Sequence, residues 1–323
     1  MILSDFAAIA ISFGVLALAA KVAIGRLINV SRHLGFSEFV ISFLFIGVVT
    51  ILPELSVGIN SALHGASTFG LGIVFGSNIA DLTLVIGLVA IAANGLRLSK
   101  RTSTRSRLFI FSTALPVLLL LDGAISRLDG VILLAGFAIY LGAILSGGKK
   151  AMPRHVAPWP KDVNIFKETL LFLAALAVMF IAGDIIASSA IAISAGLAVP
   201  IFFIGTMAAI GTCLPELMFA LQASRSRHPD MGFGDIIGNV FADCMATIGV
   251  IAIIEPIVPK NLPLALLGGA LMVASILAVV LIFTRKSSVT KNEGIALVVV
   301  YVVLLLVQFA AEEISASRLI PWM

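Results

Sequence analysis

The sequence has 323 residues, of which 60% are apolar and only 12% are charged. An ordinary soluble domain has about 25% charged residues, so this chain could not cover its surface with polar groups in water. The composition therefore excludes a soluble globular protein and predicts an all-α integral membrane protein. The net charge of +4 would also suit nucleic-acid binding, and the placement of the basic residues decides that question below.

Ten apolar stretches approach the roughly 20 residues that a helix needs to cross a bilayer. The first begins almost at Met1 without a basic leader or a small-residue cleavage site, so we interpret it as a retained helix and not as a signal peptide. The fourth is short. The ten predicted transmembrane helices cover residues 4–25, 38–63, 69–94, 107–122, 128–147, 166–189, 199–224, 232–256, 262–284 and 294–312.

The second stretch contains "TILPELSVGIN", residues 50–60, with Pro53 and Glu54 near the middle of an apolar segment. A charge at the centre of a bilayer costs roughly 2.5–3.5 kcal/mol on insertion scales, and proline inside a helix costs about 3 kcal/mol. The seventh stretch repeats the feature as "TCLPELMFALQ", residues 212–222, with Pro215 and Glu216. Two such costly features in matching positions indicate a functional site.

The third and eighth stretches carry a second repeated motif at the same offset of 162 residues. "GSNIAD", residues 76–81, aligns with "GNVFAD", residues 238–243. A constant offset across two separated motifs predicts an internal repeat.

The longest polar connection, "SGGKKAMPRHVAPWPKDVN" at residues 146–164, divides the ten predicted helices into five and five. Because five is odd, the second half must enter the membrane from the opposite face. We therefore predict two inverted five-helix repeats, residues 1–147 and 165–323, joined by a cytoplasmic linker, residues 148–164. Inverted repeats are typical of secondary transporters, which bind substrate near the midplane on interrupted helices.

Counted on alternate sides of the predicted helices, 18 of the 21 Lys and Arg residues lie on one side, and only Arg127, Lys260 and Arg318 lie on the other. This positive-inside bias predicts a multi-pass protein of the cell (plasma) membrane with both termini outside the cytoplasm. The basic clusters are explained as topology signals, so nucleic acid is not an expected partner. The expected partners are the lipid bilayer and inorganic cations; a monomer is compatible with the sequence, and the oligomeric state stays open.

Four acidic residues, Glu54, Asp81, Glu216 and Asp243, lie about ten or more residues inside a predicted helix, or roughly 15 Å at 1.5 Å per residue. No Lys or Arg is predicted at comparable depth, so ion pairs do not account for them. Protonated carboxyls acting as hydrogen-bonding glue between helices remain an alternative. Asp184 and Glu255 could cap a helix or line a vestibule, and Asp235 is expected at the start of the eighth helix.

Clustered carboxylates without basic partners suit a hard cation such as Ca²⁺, which takes six to eight oxygen ligands. Proline interrupts each helix just before the glutamate, which leaves backbone carbonyls available; Thr50 and Thr212 are the candidates to supply them. Neutral oxygens would come from Ser77, Asn78 and Asn239. With four His, two Cys, no spaced zinc motif and no GxxxxGK[ST] loop, the sequence predicts no resident cofactor, no ATP-driven step and no enzyme.

The paired PE motifs, each followed by a GSNIAD-like motif, resemble the alpha repeats of the calcium/cation antiporter superfamily, and in particular its prokaryotic sodium/calcium exchanger branch with the signature GTSLPE and then G(S/N)NxxxN/D. The resemblance implies that the paired glutamates, here Glu54 and Glu216, bind calcium and sodium alternately. The resemblance implies that the other metal ligands of the family correspond to Thr50, Thr212, Ser77, Asp81, Asn239 and Asp243 in this sequence.

Two departures from the family pattern bear on the coupling ion. The serine that usually follows the threonine, a sodium ligand in the exchanger branch, is Ile51 in the first repeat and Cys213 in the second. Asp81 stands where many sodium/calcium exchangers have Asn, and an additional buried carboxylate can carry a proton. These changes weaken the case for sodium and strengthen that for protons or potassium.

The sequence predicts a secondary-active antiporter that exports Ca²⁺ in exchange for Na⁺ by alternating access. An H⁺/Ca²⁺ or K⁺-dependent exchanger of the same fold is the alternative. A passive cation channel is a weaker one, because channel filters are usually built by several identical subunits.

Overall fold

A computed structural model of the protein describes residues 2–33, 50–98, 113–148, 164–226 and 229–319. The described part of the first half contains the helices α1 (Ile2–His33), α2 (Leu52–Leu63), α3 (Ser67–Ala80), α4 (Ile86–Ala92), α5 (Leu115–Leu119) and α6 (Arg127–Gly148). A π-helical turn, Asp81–Val85, joins α3 to α4, and a 3-10 turn, Leu120–Asp122, follows α5.

The second half contains α7 (Ile165–Leu197), α8 (Ile201–Thr212), α9 (Leu214–Arg225), α10 (Pro229–Ala242), α11 (Ile248–Ile254), α12 (Leu262–Lys286) and α13 (Lys291–Leu319). A second π-helical turn, Asp243–Thr247, joins α10 to α11. Two short strands, β1 (Leu96–Arg97) and β2 (Ser288–Val289), pair antiparallel and tie the halves together. The prediction of an all-α membrane protein is confirmed at this level.

Seven helical segments of the described residues are long and apolar enough to cross a membrane: Ile2–Val30, Ser67–Ala92, Ile165–Leu197, Ile201–Arg225, Pro229–Ile254, Leu262–Ile282 and Lys291–Ala311. In the most apolar stretches of Ser67–Ala92 and Pro229–Ile254, 89% and 78% of the residues are buried, against 33% in those of α1 and α7. The first two segments therefore make the centre of the protein. Much of the predicted second and fourth helices and nearly all of the predicted linker lie outside the described residues.

The helix boundaries of the two halves coincide at the offset of 162 residues. α2, α3, the first π-helical turn and α4 have the same lengths as α9, α10, the second π-helical turn and α11, and they begin at matching positions. Both α2 and α9 begin with Leu-Pro-Glu, and a proline in the first turn is tolerated because its missing N–H has no partner there anyway. The same local chemistry therefore starts a helix at the same place in each half.

The same offset relates the contacts between helices. Gly87 of α4 meets Gly294 of α13, where an added Cβ would come within 2.7 Å of the Gly294 carbonyl oxygen. Gly249, the repeat equivalent of Gly87, meets Gly130 of α6 in the same manner, with 3.0 Å to its carbonyl oxygen. Glycine at these crossings allows the helix backbones to touch.

Helix α1 packs along α7, with the small side chains of Ala19, Ala20 and Ala23 buried in the contact. Helix α7 is fastened to α2 by polar side chains: the Ser56 hydroxyl donates to the Met179 carbonyl at 2.7 Å, and the Asn60 amide donates to the Phe180 carbonyl at 3.0 Å. Such hydrogen bonds join helices where apolar contact alone gives little specificity.

The two acidic residues that the sequence left open have structural partners. Glu255 accepts a hydrogen bond from the backbone N–H of Ser67 at 2.8 Å, which caps the start of α3 from the other half of the chain. Asp184 lies 2.7 Å from Nε2 of His64, at the end of α2. Helix capping therefore accounts for Glu255, and Asp184 links α7 to α2.

Candidate cation site

A helix begins immediately before each of the two deep glutamates. Helix α8 ends at Thr212 and α9 begins at Leu214. The first hydrogen bond of α9 runs from the Leu217 N–H to the Cys213 carbonyl at 3.0 Å, and that of α2 from the Leu55 N–H to the Ile51 carbonyl at 2.8 Å. Thr50 and Thr212 each lie one residue before the residue that accepts this first hydrogen bond. Their carbonyls therefore stand at the starts of α2 and α9.

Glu54 and Glu216 lie in the first turns of α2 and α9, and both are 0% exposed. None of their four carboxyl oxygens has a hydrogen-bond partner among the described residues. The Thr212 hydroxyl, which is near Glu54, instead donates to the Ala209 carbonyl at 3.0 Å. The two glutamates are close enough for their charges to repel each other. The described part of the chain thus offers these two buried carboxyls no hydrogen-bond donor.

Asp81 and Asp243 are the first residues of the two π-helical turns. Such turns in α-helices occur frequently at functional sites. Asp81 accepts a hydrogen bond from the Asn239 amide at 3.1 Å, and Asp243 accepts one from the Ser77 hydroxyl at 3.3 Å. These two contacts are equivalents under the 162-residue offset. Each aspartate is therefore joined to the polar residue of the opposite half.

All eight residues predicted as metal ligands are fully buried: Thr50, Glu54, Ser77, Asp81, Thr212, Glu216, Asn239 and Asp243. Besides the two aspartate contacts, Glu54 experiences the charges of Asp243 and Asp81, and Glu216 experiences that of Asp81. The carboxyls thus form one electrostatically connected group at the centre of the protein. Their role as ligands remains a prediction.

Basic side chains do not neutralise this group within the described part of the chain. The ion pairs between described residues join Arg26 to Glu168, His64 to Asp184 and Lys286 to Glu293. None of them includes one of the four carboxyls. Nor do any three described His, Cys, Asp or Glu side chains come close enough to hold a metal ion by themselves. A cation bound in this arrangement would need neutral oxygens as well as carboxylates, which is ordinary for Ca²⁺.

The two departures from the exchanger pattern lie beside the group. Ile51 is 2% exposed and packs with Ala242 and Ala246 next to the second π-helical turn. The Cys213 thiol lies 3.5 Å from the Ser77 carbonyl oxygen. Ile51 is held by apolar contacts. At the equivalent position in the second repeat lies the Cys213 thiol, which is a weak hydrogen-bond donor. Neither side chain offers the oxygen that a serine would.

Three further polar residues lie near the group, and of these only Asn78 was expected from the sequence to supply an oxygen. Thr247 donates to Asp243 at 2.9 Å. Asn78 donates to the Cys244 and Met272 sulfurs at 3.2 and 3.4 Å, and its oxygen is buried without a partner in the described ranges. Asp235 was expected to begin a helix, and this prediction is wrong: α10 begins at Pro229, and Asp235 is only 8% exposed. The available signal was its position four residues before Asn239 and eight before Asp243.

Buried carboxyls at equivalent positions of the two halves, without basic partners among the described residues, are typical of ion-transporting membrane proteins. Comparison with known proteins narrows the class. A model of the sodium/calcium exchanger protein family matches residues 4–145 and 167–310. The chain belongs to this sodium/calcium exchanger family, within the calcium/cation antiporter superfamily that its motifs predicted.

A curated relative is the putative antiporter CaxA of Alkalimonas amylolytica, 28% identical over 235 residues, which cover 71% of this chain and 74% of the relative. Among solved structures, the sodium-calcium exchanger NCX_Mj superposes with a TM-score of 0.67 at 23% identity, covering 95% of this chain and 99% of that one. The H⁺/Ca²⁺ exchanger CAX superposes with a TM-score of 0.74 at 18% identity, covering 96% and 85%. At these identities the two structures establish the fold.

Membership of the family makes the protein a membrane exchanger of inorganic cations and not an enzyme, as the sequence predicted.

Proposed function

We propose that the protein is a secondary-active antiporter that exports Ca²⁺ in exchange for Na⁺ by alternating access. The observation that carries the proposal is the pair Glu54 and Glu216, fully buried and without hydrogen-bond partners among the described residues. Carboxyls that served as helix glue would need such partners, because burying an unpaired polar group costs several kcal/mol. A transported cation would supply the positive charge that these carboxyls lack in the described part of the chain.

The proposed ligands are the eight residues predicted from the sequence. Glu54, Glu216, Asp81 and Asp243 would supply charge, and Ser77 and Asn239 would supply neutral oxygens, since each already contacts an aspartate of the other half. Thr50 and Thr212 would contribute at the helix interruptions. This mixture of charged and neutral oxygens suits Ca²⁺, whose coordination shell is large and tolerant of geometry.

Exchange follows from the same electrostatics. When Ca²⁺ leaves, two mutually repelling glutamates remain in a low-dielectric interior, and their charge must be compensated before the carrier changes its orientation. Monovalent cations entering from the other side provide that compensation. An uncompensated carrier is too costly to reorient, so the protein should exchange ions and not leak them.

We include the full architecture in the proposal: ten transmembrane helices in two inverted five-helix repeats, residues 1–147 and 165–323, joined by a cytoplasmic linker, residues 148–164, with both termini outside the cytoplasm. The matching helix boundaries and the equivalent interhelical contacts support it. The mutual packing of α1 and α7 at the periphery supports a movement of this pair against the centre during alternating access.

A second candidate, an H⁺/Ca²⁺ exchanger, is favoured by two features of this chain. Asp81 adds a fourth buried carboxyl to the group, and Ile51 provides no oxygen where a sodium ligand is expected. A carboxyl can accept a proton directly and needs no coordination shell. The alternative therefore differs from the first candidate only in the ion that replaces Ca²⁺.

Calcium flux in proteoliposomes tests both candidates. Purified protein is reconstituted, and Ca²⁺ uptake is measured under an opposing gradient of Na⁺, K⁺ or H⁺, imposed one at a time with the membrane potential clamped. Uptake driven by Na⁺ alone supports the first candidate, and uptake driven by H⁺ alone supports the second. Flux that is independent of any opposing gradient would contradict antiport and indicate a pore.

A further inference from the structure

Asp235 is a buried carboxyl that the eight-residue site does not use. It lies on α10 and is 8% exposed, and its Oδ2 atom is buried without a hydrogen-bond partner in the described part of the chain. A carboxyl in such a position is costly, and the ion pairs of the described residues do not include it. Its burial therefore needs an explanation, as that of Glu54 and Glu216 does.

Spacing places Asp235 in a row with the central group. Asp235, Asn239 and Asp243 are four residues apart, and residues at that spacing lie on one face of a helix. At 1.5 Å per residue, Asp235 is about 12 Å from Asp243 along the helix axis, on the side of Pro229. The positive-inside bias predicts that this side faces the cytoplasm. The row thus runs from the central group toward one surface of the membrane.

The charge of Asp235 also acts on the central group. Glu216 experiences the charge of Asp235 as well as those of Glu54 and Asp81, and Asp235 in turn experiences the charge of Asp81. Asp81 also accepts the hydrogen bond from Asn239, the middle member of the row. A cation beside Asp235 would therefore be attracted onward to Asp81 and Glu216.

In the first half of the chain the equivalent row lacks one of its three polar members. The repeat equivalent of Asp235 is Ile73, which is 0% exposed and packs in an apolar cluster with Phe69 and Val57. On α3, the equivalent row toward the opposite surface thus has an apolar side chain where the row on α10 has a carboxyl. Two halves that agree in helix boundaries and in their central contacts differ at this position.

We propose that Asp235 is an additional binding residue for a transported cation, placed between the central group and the membrane surface near the start of α10. This inference rests on the proposed cation antiport. Because the carboxyl exists on one side only, it gives the exchanger a different cation affinity at its two surfaces.

Side-specific kinetics of Asp235→Asn test the proposal. Ca²⁺ dependence of transport is measured in right-side-out and inside-out vesicles from the same preparation. We expect the half-saturating Ca²⁺ concentration at the surface near Pro229 to rise roughly three- to tenfold, because Ca²⁺ affinity follows the number of charged ligands. The value at the other surface should stay unchanged. Equal changes at both surfaces, or none at either, would overturn the proposal.

The matched control is Asp230→Asn, which removes the same charge from the first turn of the same helix but from outside the row. It should leave both half-saturating concentrations at their original values. Size-exclusion profiles and thermal melts of both variants establish that they fold. Wild-type vesicles without gradient-driven Ca²⁺ transport would contradict the proposed function, which separates that failure from failure of the Asp235 proposal.

A binding measurement without transport completes the test. Retention of radioactive Ca²⁺ by purified protein is compared between the variant Glu54→Gln/Glu216→Gln and the same variant with Asp235→Asn added. We expect weak residual binding in the first and a further severalfold loss in the second. Identical retention by the two would overturn the proposal whatever the vesicles show.

Discussion

Glu54 and Glu216 each follow a proline in the first turn of a helix, and each is fully buried. The helix dipole favours a carboxylate at a helix start, typically by 0.3–1 kcal/mol. That is small against the several kcal/mol needed to bury an ion. At the scale of single residues, the helix start therefore does not offset the burial of these carboxyls, and the proposed cation is what would neutralise them.

Replacing either glutamate by glutamine removes the charge and keeps the shape. We expect Glu54→Gln and Glu216→Gln each to reduce Ca²⁺ exchange by roughly a hundredfold, equivalent to about 2.7 kcal/mol of lost binding. The measurement is gradient-driven Ca²⁺ uptake in proteoliposomes. Asp5→Asn, in the first turn of α1, serves as the control and should transport normally. Near-normal uptake by either glutamine variant would refute its assignment as a ligand.

Cys213 allows the missing sodium ligand to be restored with little change in volume. Its thiol lies 3.5 Å from the Ser77 carbonyl oxygen, so Cys213→Ser would put a hydroxyl oxygen beside the central group. We expect the Na⁺ concentration for half-maximal Ca²⁺ exchange to fall roughly twofold or more, because Na⁺ prefers oxygen to sulfur ligands. Na⁺ activation curves measure the change.

The control for this prediction is Cys244→Ser. Its thiol is also fully buried but lies by Asn78 and Met272, so its Na⁺ activation should not change. Equal activation curves for the wild type and Cys213→Ser would show that this position does not shape the coupling-ion site.

At the scale of helices, three features of the helix backbones position the site. Proline interrupts α8–α9 before Glu216, π-helical turns begin at Asp81 and Asp243, and glycines bring backbones into contact. The last is clearest between α3 and α8: a Cβ on Gly72 would overlap the Phe202 carbonyl oxygen, and one on Gly205 would come within 2.5 Å of the Phe69 carbonyl oxygen. This contact holds α3, which carries Ser77, against α8, which ends at Thr212.

Gly72→Ala should separate these two helices. Overpacking of this kind typically costs 1–3 kcal/mol, so we expect the melting temperature of the purified protein to fall by several degrees and Ca²⁺ exchange to decline with it. Gly25→Ala in α1 is the control, since an added Cβ there meets no described atom within 4 Å. Alanine also favours a helix over glycine, so that variant should melt at the same temperature or higher. A Gly72→Ala protein that melts like the wild type would contradict the packing.

At the scale of the whole molecule, the two halves place equivalent residues against each other. The contact between β1 and β2 has a counterpart in the antiparallel bridge between Ile125 and Ile257. Ile257 lies just before the start of α12, and β2 lies just after its end. In a pair of inverted repeats, equivalent contacts occur at opposite surfaces of the membrane. We therefore expect β1 and the segment around Ile257 to face different compartments.

Labelling of single cysteines tests this arrangement. Arg97 and Lys260 are both exposed, and both native cysteines are buried, so background labelling should be low. In intact cells, a membrane-impermeant maleimide should label Lys260→Cys at once and Arg97→Cys only after permeabilisation. Unsubstituted protein is the control. Labelling of both positions from the same side would contradict the inverted repeats and the predicted orientation.

Local patterns in the sequence were sufficient for the membrane class, the all-α fold and the exchanger family. Apolar composition, proline and glycine motifs and the offset of 162 residues are all readable within short segments. They also directed attention to Glu54, Asp81, Glu216 and Asp243, because an acidic residue deep in an apolar run is conspicuous without knowledge of its neighbours.

Only the tertiary structure decided which of these residues meet. Asn239 and Asp81 are 158 residues apart in the chain, Ser77 and Asp243 are 166 apart, and Ser67 and Glu255 are 188 apart. No local pattern specifies such pairs, because they form when the two halves pack face to face. Asp235 was misjudged for the same reason: its burial comes from the packing around α10, whereas in the sequence it lies near the predicted start of a helix, where acidic residues are ordinary.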